Sequence, residues 1–412
     1  MPVTDWLRRA TPAFRLMMAA SWLAPEAWRQ TQEAAIREAI GAGPDWQEFL
    51  ALVDRHRTPA LSWAALSRVP GIALPEPARR GLRQRSDACR RKAMQHCLLL
   101  ADALQRFNRA AIPAMPLKGQ TLSLALYGDV GLRESLDIDL EVPREDLRRA
   151  QDCLACRDWV LEETFFSMSP RQWESFLENE QHINYIHAQT GRMIELHWRN
   201  QWETAEATRA RWARSRPAVW QGCAIQAMHP GDLTLYLCSH GGLHEWFRAK
   251  WLGDLACAHA QGLLDWNAAW EQAGRARQTK VLLAGACLIE QFYGLPRPDL
   301  PGQAGQEPSL DLIAIPIQAL LHSGEPLSRG GLAKFRNRMR RSRYERLLWP
   351  AKSRRQSLSE LFYGREDFRT LPLPDRFFPL YRLLRPALWF WRCLQPRGSR
   401  APGRSDGGEN KI

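Results

Sequence analysis

Two aspartates separated by one residue, Asp137 and Asp139, lie in the segment LDIDLEV. Side chains of a strand alternate, so Leu136, Ile138, Leu140 and Val142 face one way and Asp137, Asp139 and Glu141 the other. The two aspartates then sit about 7 Å apart on one polar face, close enough for flexible carboxylates to share divalent cations. Glu141 lies farther along and is expected at a solvated rim. A second alternating segment, MIELHWRN, sets Glu195, His197 and Arg199 against Ile194, Leu196 and Trp198. If the two strands are neighbours, Glu195 becomes the third acid of the cluster. Such a cluster suits phosphoryl chemistry, in which Mg²⁺ or Mn²⁺ neutralises and orients a triphosphate and lowers the pKa of an attacking hydroxyl. A carboxylate at the edge takes the proton. His197 and Arg199, on the same face, are candidate substrate contacts.

Upstream, Lys118-Gly119-Gln120 reads as a strand-to-helix turn. Glycine permits close backbone approach there, and the following helix offers free N–H groups to a phosphate. Lys118 adds a point charge, and Arg133, four residues before Asp137, could contact phosphate through two nitrogens. These four residues form the candidate nucleotide-binding set. Downstream, His240 and His244, candidate substrate contacts, are four apart in HGGLH, a helical spacing that aligns two imidazoles, but no third metal ligand is spaced to match. Asp254 in KWLGDLA is a buried or capping acid, or a helical acid facing a cleft. Cys153 and Cys156 form a lone CxxC, read as two small apolar groups on a helix face rather than a zinc site.

The elements that must position these residues follow from changes of hydrophobic period. Apolar residues recur at three and four through EFLALVDRHRTPALSWAAL and HCLLLADALQRFNRAA, with Pro70, Pro75 and Pro77 interrupting, so residues 1–111 are expected to be an all-helical N-terminal unit. Over 112–200 the pattern becomes mixed: AIPAMPLKG as a short strand, TLSLALYG as a helix, LDIDLEV as a strand, REDLRRAQDCLACRDW as a helix, and HINYIHAQTGRMIELHW as two strands joined around Thr190 and Gly191. Helical spacing returns over 201–298, followed by a basic, aromatic helical region over 299–396 and a disordered tail over 397–412. The fold class expected is α+β, mostly α overall, with a mixed sheet between helical units.

Bulk properties narrow the function classes. The chain of 412 residues is too long for one small module, and 45% hydrophobic with 25% charged residues suits a globular protein with a sizeable core. No apolar run approaches the roughly 18 residues of a membrane span. The nine scattered cysteines suit reduced core thiols, and the expected location is the cytoplasm. A net charge of +13 points to a polyanionic contact, and the arginine-rich stretch GLAKFRNRMRRSRYERLLWPAKSRRQS makes nucleic acid a candidate partner. FFPLYRLLRPALWFWR mixes aromatics with arginines and is expected to dock on the body of the protein, with an anionic membrane surface as the alternative.

The segment LKGQTLSLALYGDVGLRESLDIDLEV resembles the nucleotidyltransferase superfamily, with its glycine turn, short helix, Asp-x-Asp strand and later acid-bearing strand. More narrowly, LKG, a tyrosine, an arginine, DIDL and ELHW together resemble the bacterial uncharacterised nucleotidyltransferase family. WQEFLALVDRHRTPAL, LCSHGGLHEWFRAKWLGDLA and RFFPLYRLLRPALWFWR extend the resemblance over most of the chain. It implies a DNA polymerase beta-like fold, Asp137 and Asp139 as metal ligands, Glu195 as third carboxylate, and Lys118-Gly119 at the triphosphate turn. The superfamily commonly has serine or glycine after that turn glycine, where this chain has Gln120. The implied activity is transfer of a nucleoside monophosphate, AMP from ATP first, to a hydroxyl or phosphate of an unknown acceptor: a small molecule, glycan, protein or RNA. An RNA-directed, toxin-like enzyme and a degenerate nucleotide-binding scaffold of a polysaccharide or natural-product system stand as alternatives.

Overall fold

A computed structural model describes residues 10–155, 158–162, 165–302, 309–321, 331–349 and 364–394. Among the described residues five α-helices come first: α1 (Pro12–Ala19), α2 (Arg29–Gly41), α3 (Trp46–His56), α4 (Pro59–Ser67) and α5 (Glu76–Arg109). Local chemistry sets their starts. The Asp45 carboxylate accepts from the Gln47 and Glu48 amides at 2.8 and 3.0 Å, satisfying donors that a helix end leaves over. Pro77 sits in the first turn of α5, where its missing N–H costs nothing, so the helix runs on for 34 residues.

The sheet follows: β1 (Met115–Pro116), α6 (Gln120–Tyr127), β2 (Asp137–Glu141), α7 (Leu147–Leu154), β3 (Trp159–Leu161), α8 (Pro170–Asn179), β4 (His182–His187) and β5 (Met193–His197). Its order is β1-β2-β5-β4-β3. β2 and β5 run parallel, and every other pair in it is antiparallel. This is the mixed α+β core expected from the sequence. Its apolar face carries Ile138, Leu140, Ile183, Ile194 and Leu196 against Leu100, Leu104 and Phe107 of α5.

Beyond the sheet come α9 (Ala205–Arg214), β6 (Arg216–Trp220), β7 (Cys223–Ala227), α10 (Pro230–Leu243), α11 (Ala249–Ala260), α12 (Trp266–Arg275) and α13 (Thr279–Tyr293), then α14 (Leu310–Leu321), α15 (Gly331–Leu348), α16 (Arg365–Thr370) and α17 (Tyr381–Leu394). Helical spacing predicts helix throughout 201–298, yet β6 and β7 form a hairpin inside it. Gln221 and Gly222 at its turn both have positive φ, the conformation that matches strand twist in a two-residue loop. The hairpin joins the sheet unit: the Gln226 amide donates to the Ala114 carbonyl at 2.8 Å, and Trp220 and Cys223 enter the core of the sheet.

Helices from before and after the sheet share one second core, in which Phe14, Met17, Phe49 and Leu61 meet Leu252, Leu255, Leu282, Leu288 and Tyr344. Gly253 permits a close approach to backbone in this packing: a Cβ there would lie 2.5 Å from the Ser21 carbonyl oxygen. α5 belongs to both cores, Leu82 and Cys89 to the helical one and Leu100 to Phe107 to the sheet's. One long helix thus fixes the sheet relative to the helical body.

Of the basic stretch, Gly331–Leu348 forms α15, where Arg340 pairs with Glu245 at 2.8 Å and Arg341 with Glu345 at 3.0 Å, and Arg343 pairs with Asp311, while its end from residue 350 lies outside the described residues. The aromatic C-terminal segment docks through Tyr381, which accepts from Gln172 of α8 at 3.0 Å and packs on Phe368. Farther along α17, Leu383, Phe390 and Trp391 are exposed. Residues 397–412 and Cys156 lie outside the described residues. Among the described residues no helix is long and apolar enough to cross a membrane.

Candidate active site

Pairing of β2 with β5 places Asp139 opposite Glu195 and Glu141 opposite His197. Cα partners in a ladder point to the same face, so the neighbour relation that spacing alone left open brings Glu195 beside the aspartates. One oxygen from each of Asp137, Asp139 and Glu195 lies within 4.8 Å of the others. On the far side of β5, β4 sets Asn184 opposite Glu195 and His182 opposite His197. The polar face of three strands therefore presents two rows of polar groups, Asp139–Glu195–Asn184 and Glu141–His197–His182.

Lys118 reaches into this face. Its Nζ is 3.2 Å from Asp139 Oδ2 and 4.0 Å from Asp137 Oδ1, with 14% of the side chain exposed. Burial pulls its ammonium down, but Asp137 and Asp139 hold it well above the usual lysine value. Asp137 is pushed up by burial and pulled down more strongly by Lys118, Lys250 and His96, so it stays below the usual carboxylate range. Asp139 is raised by burial and by Asp137. His197 Nε2 lies 3.3 Å from Glu195 and 3.4 Å from Asp139. Burial lowers His197, and the two carboxylates outweigh it, raising the imidazole to about 9. The resting site thus balances its acids with one ammonium and one imidazolium.

Gly119 makes the turn that delivers Lys118. Its φ of 77° and ψ of −131° belong to a region that glycine enters readily and other residues rarely do. Gln120, at the start of α6, is 1% exposed and its Nε2 has no hydrogen bond among the described residues, so its amide faces the interior. A hydroxyl does stand beside the turn. Ser135 Oγ would be 3.8 Å from a Cβ on Gly119, and it donates to the Asp137 carbonyl at 2.9 Å.

Several expected site residues have other partners. Arg133 is buried, and its Nε donates to Asp254 Oδ2 at 2.7 Å. Asp254 also accepts from Tyr127 at 3.1 Å, so the expected phosphate contact and the expected helical acid neutralise each other. Arg199 follows the end of β5 and leaves its face: Nε and Nη2 donate to the Glu180 and Glu178 carbonyls at 3.0 and 2.9 Å, closing the C-terminus of α8. Glu141 is fully buried, not at a solvated rim; α9 covers it, with Arg211 Nη2 at 2.8 Å and Trp212 Nε1 at 2.7 Å. His240 lies parallel to the Tyr236 ring at 5.9 Å and edge-on to His244 at 4.9 Å. Burial, then Lys118 and His244, hold His240 well below the usual histidine value. His244 stacks on Trp251 at 4.7 Å.

Besides His182, Lys250 and His96 escaped the sequence reading. Lys250, at the start of α11, is 6% exposed and donates to the Glu134 carbonyl at 3.2 Å. Burial, with Arg133, Arg57 and Lys118 nearby, lowers it to about 7. A lysine between Ala249 and Trp251 in an apolar helix was the available signal. His96 of α5 is fully buried, neither nitrogen has a hydrogen bond among the described residues, and burial and Arg192 lower it to about 4. Its position inside a regular helical repeat hid it.

The profile of the family described as "Uncharacterised nucleotidyltransferase" matches residues 42–294, more than half of the chain. That stretch contains β1–β5, the turn at Gly119 and α11. No curated protein and no solved structure matches the chain.

Proposed function

The chain belongs to this uncharacterised nucleotidyltransferase family, and from that premise we propose that it is a divalent-metal-dependent enzyme transferring a nucleoside monophosphate, AMP from ATP first, to a hydroxyl or phosphate of an acceptor. The observation that carries the reading is the β2–β5 register, which sets Glu195 next to Asp139 and completes three carboxylates around one point. The donor set is all oxygen, as hard cations prefer. Asp139 Oδ2 is buried and makes no hydrogen bond among the described residues, and the Lys118 ammonium at 3.2 Å already occupies a place suited to positive charge. Mg²⁺ or Mn²⁺ held there supplies charge to the triphosphate and lowers the pKa of the attacking hydroxyl.

The chain's own groups divide the remaining work. Asp137, Asp139 and Glu195 hold the cation. Lys118 would pair with phosphate oxygens, and Lys250 would add a second ammonium from α11. Gly119 lets the triphosphate approach the backbone, and Ser135 supplies the hydroxyl that the turn itself lacks. Asp254 and Arg133 hold the wall of α11 in place rather than touch substrate. We place the reaction in the cytoplasm, a reading supported by cysteines that form no disulfide among the described residues.

Titration calorimetry of a non-hydrolysable ATP analogue tests this reading. Binding is expected with Mg²⁺, to be lost on chelation, and to be lost in Asp137→Asn/Asp139→Asn. Equal binding by the double variant would remove the metal platform from the reading. Binding without turnover against any host fraction would favour the scaffold alternative.

A further inference from the structure

We propose that the same sheet carries a second cation site, formed by His182, Glu195 and His197, which takes a borderline transition metal such as Zn²⁺ or Co²⁺ rather than Mg²⁺. One ligand atom from each of these residues lies within 4.8 Å of the others. His197 Nε2 is 3.3 Å from Glu195 Oε2, and His182 Nε2 is 4.0 Å from Glu195 Oε1. The two imidazoles are brought together by strand register, as His182 on β4 is the direct Cα partner of His197 on β5, and their ring centroids are 4.9 Å apart. The geometry is close to a coordination shell. A tetrahedral ion with bonds of about 2.0–2.1 Å sets its ligand atoms about 3.3–3.4 Å apart; the His197–Glu195 pair already stands at that separation, and the His182–Glu195 pair at 4.0 Å must close by roughly 0.6 Å for binding.

Donor chemistry separates this site from the one beside it. Two nitrogens and one carboxylate suit Zn²⁺, Co²⁺ and their neighbours, whereas three carboxylates suit Mg²⁺. His182 and His197 are both buried, and His197 has neither ring nitrogen in a hydrogen bond among the described residues. A metal–nitrogen bond at Nε2 would replace its ion pairs with Glu195 and Asp139 at 3.3 and 3.4 Å. Glu195 belongs to both clusters, with an oxygen within 4.8 Å of a ligand atom of each other member, so one side chain is shared by an oxygen-only and a nitrogen-rich position. The inference shares Glu195 with the proposed function but does not depend on nucleotidyl transfer.

The test uses the full chain stripped of metal and titrated with Co²⁺ in excess Mg²⁺. One equivalent with visible d–d absorption, displaced by Zn²⁺, is expected. His182→Ala and His197→Ala should each weaken Co²⁺ binding by at least about tenfold, while Asp137→Asn should keep the spectrum. No visible band in excess Mg²⁺, or unchanged binding by both histidine variants, overturns the site. X-ray absorption on the Zn²⁺-loaded wild type covers the case of variants that fail to fold: scattering from two imidazoles supports the site, and an all-oxygen shell overturns it. Failure here with Mg²⁺-dependent ATP-analogue binding intact leaves the proposed function standing; the converse leaves the histidine site standing.

Discussion

Replacing Arg133 with methionine removes one member of a buried pair and leaves the other charged. Arg133 Nε and Asp254 Oδ2 are 2.7 Å apart, with side chains 2% and 1% exposed, so solvent does little to screen what remains. Removing one partner of such a pair costs about 3–5 kcal/mol. Unfolding entropy of about 2.1 cal/mol/K per residue over 412 residues converts that loss to a fall in Tm of about 3–6 °C. The double variant Arg133→Met/Asp254→Leu should regain most of the stability, because two apolar groups replace the pair without a stranded charge. Thermal melts of the four proteins give the coupling energy, and ATP-analogue titration gives the functional readout. As a strut rather than a phosphate ligand, Arg133 should be dispensable for binding in the double variant, with affinity within about threefold, less than 1 kcal/mol. A single-variant loss below about 1 kcal/mol, or a stable double variant that no longer binds the analogue, would refute the assignment.

Gly253→Ala should lower Tm by a packing cost of about 1–3 kcal/mol, because the new Cβ meets backbone at Ser21, which cannot rotate away. Gly274→Ala, where a Cβ on α12 meets nothing within 4 Å, should instead stabilise by about 0.4–1 kcal/mol; melts reversing this order would contradict the packing. The pH dependence of stability reports on Lys250, which sits at about 7 when folded against an ordinary 10.5. Between those values the unfolded chain binds more protons, so this lysine makes stability rise with pH, and it disfavours folding most below pH 7. Lys250→Met should remove that slope, and urea midpoints with the same pH dependence in both proteins would show that the ammonium is not dry.

What was legible in the sequence was whatever has a short period. Alternation in LDIDLEV and MIELHW gave the polar faces of β2 and β5, and the break at Gly119 gave the turn before α6, because strand pleat and glycine geometry are local. Partnership was not local. Glu195 joins Asp139 only through a parallel pairing across more than fifty residues, which spacing permits but cannot dictate. Arg133, Arg199 and Glu141 carry charges that suit a phosphate or a metal, and each is instead matched to a carboxylate, a helix end or an arginine that the tertiary fold brings near. Lys250 and His96 sat inside clean helical repeats, where periodicity tells which face is buried and not what that face meets. The hairpin at β6 and β7 was lost between two strong helices, its two-residue Gln-Gly turn being the signal passed over.

The most direct measurement is the fate of two labels. Purified protein is incubated with Mg²⁺, a host extract, and ATP labelled at either the α- or the γ-phosphate. Metal-dependent nucleotidyl transfer predicts that the α-label enters an acceptor, that the γ-label leaves in pyrophosphate, and that Asp137→Asn/Asp139→Asn abolishes both. An acceptor labelled from the γ-position, or labelling that survives in the double variant, would contradict it.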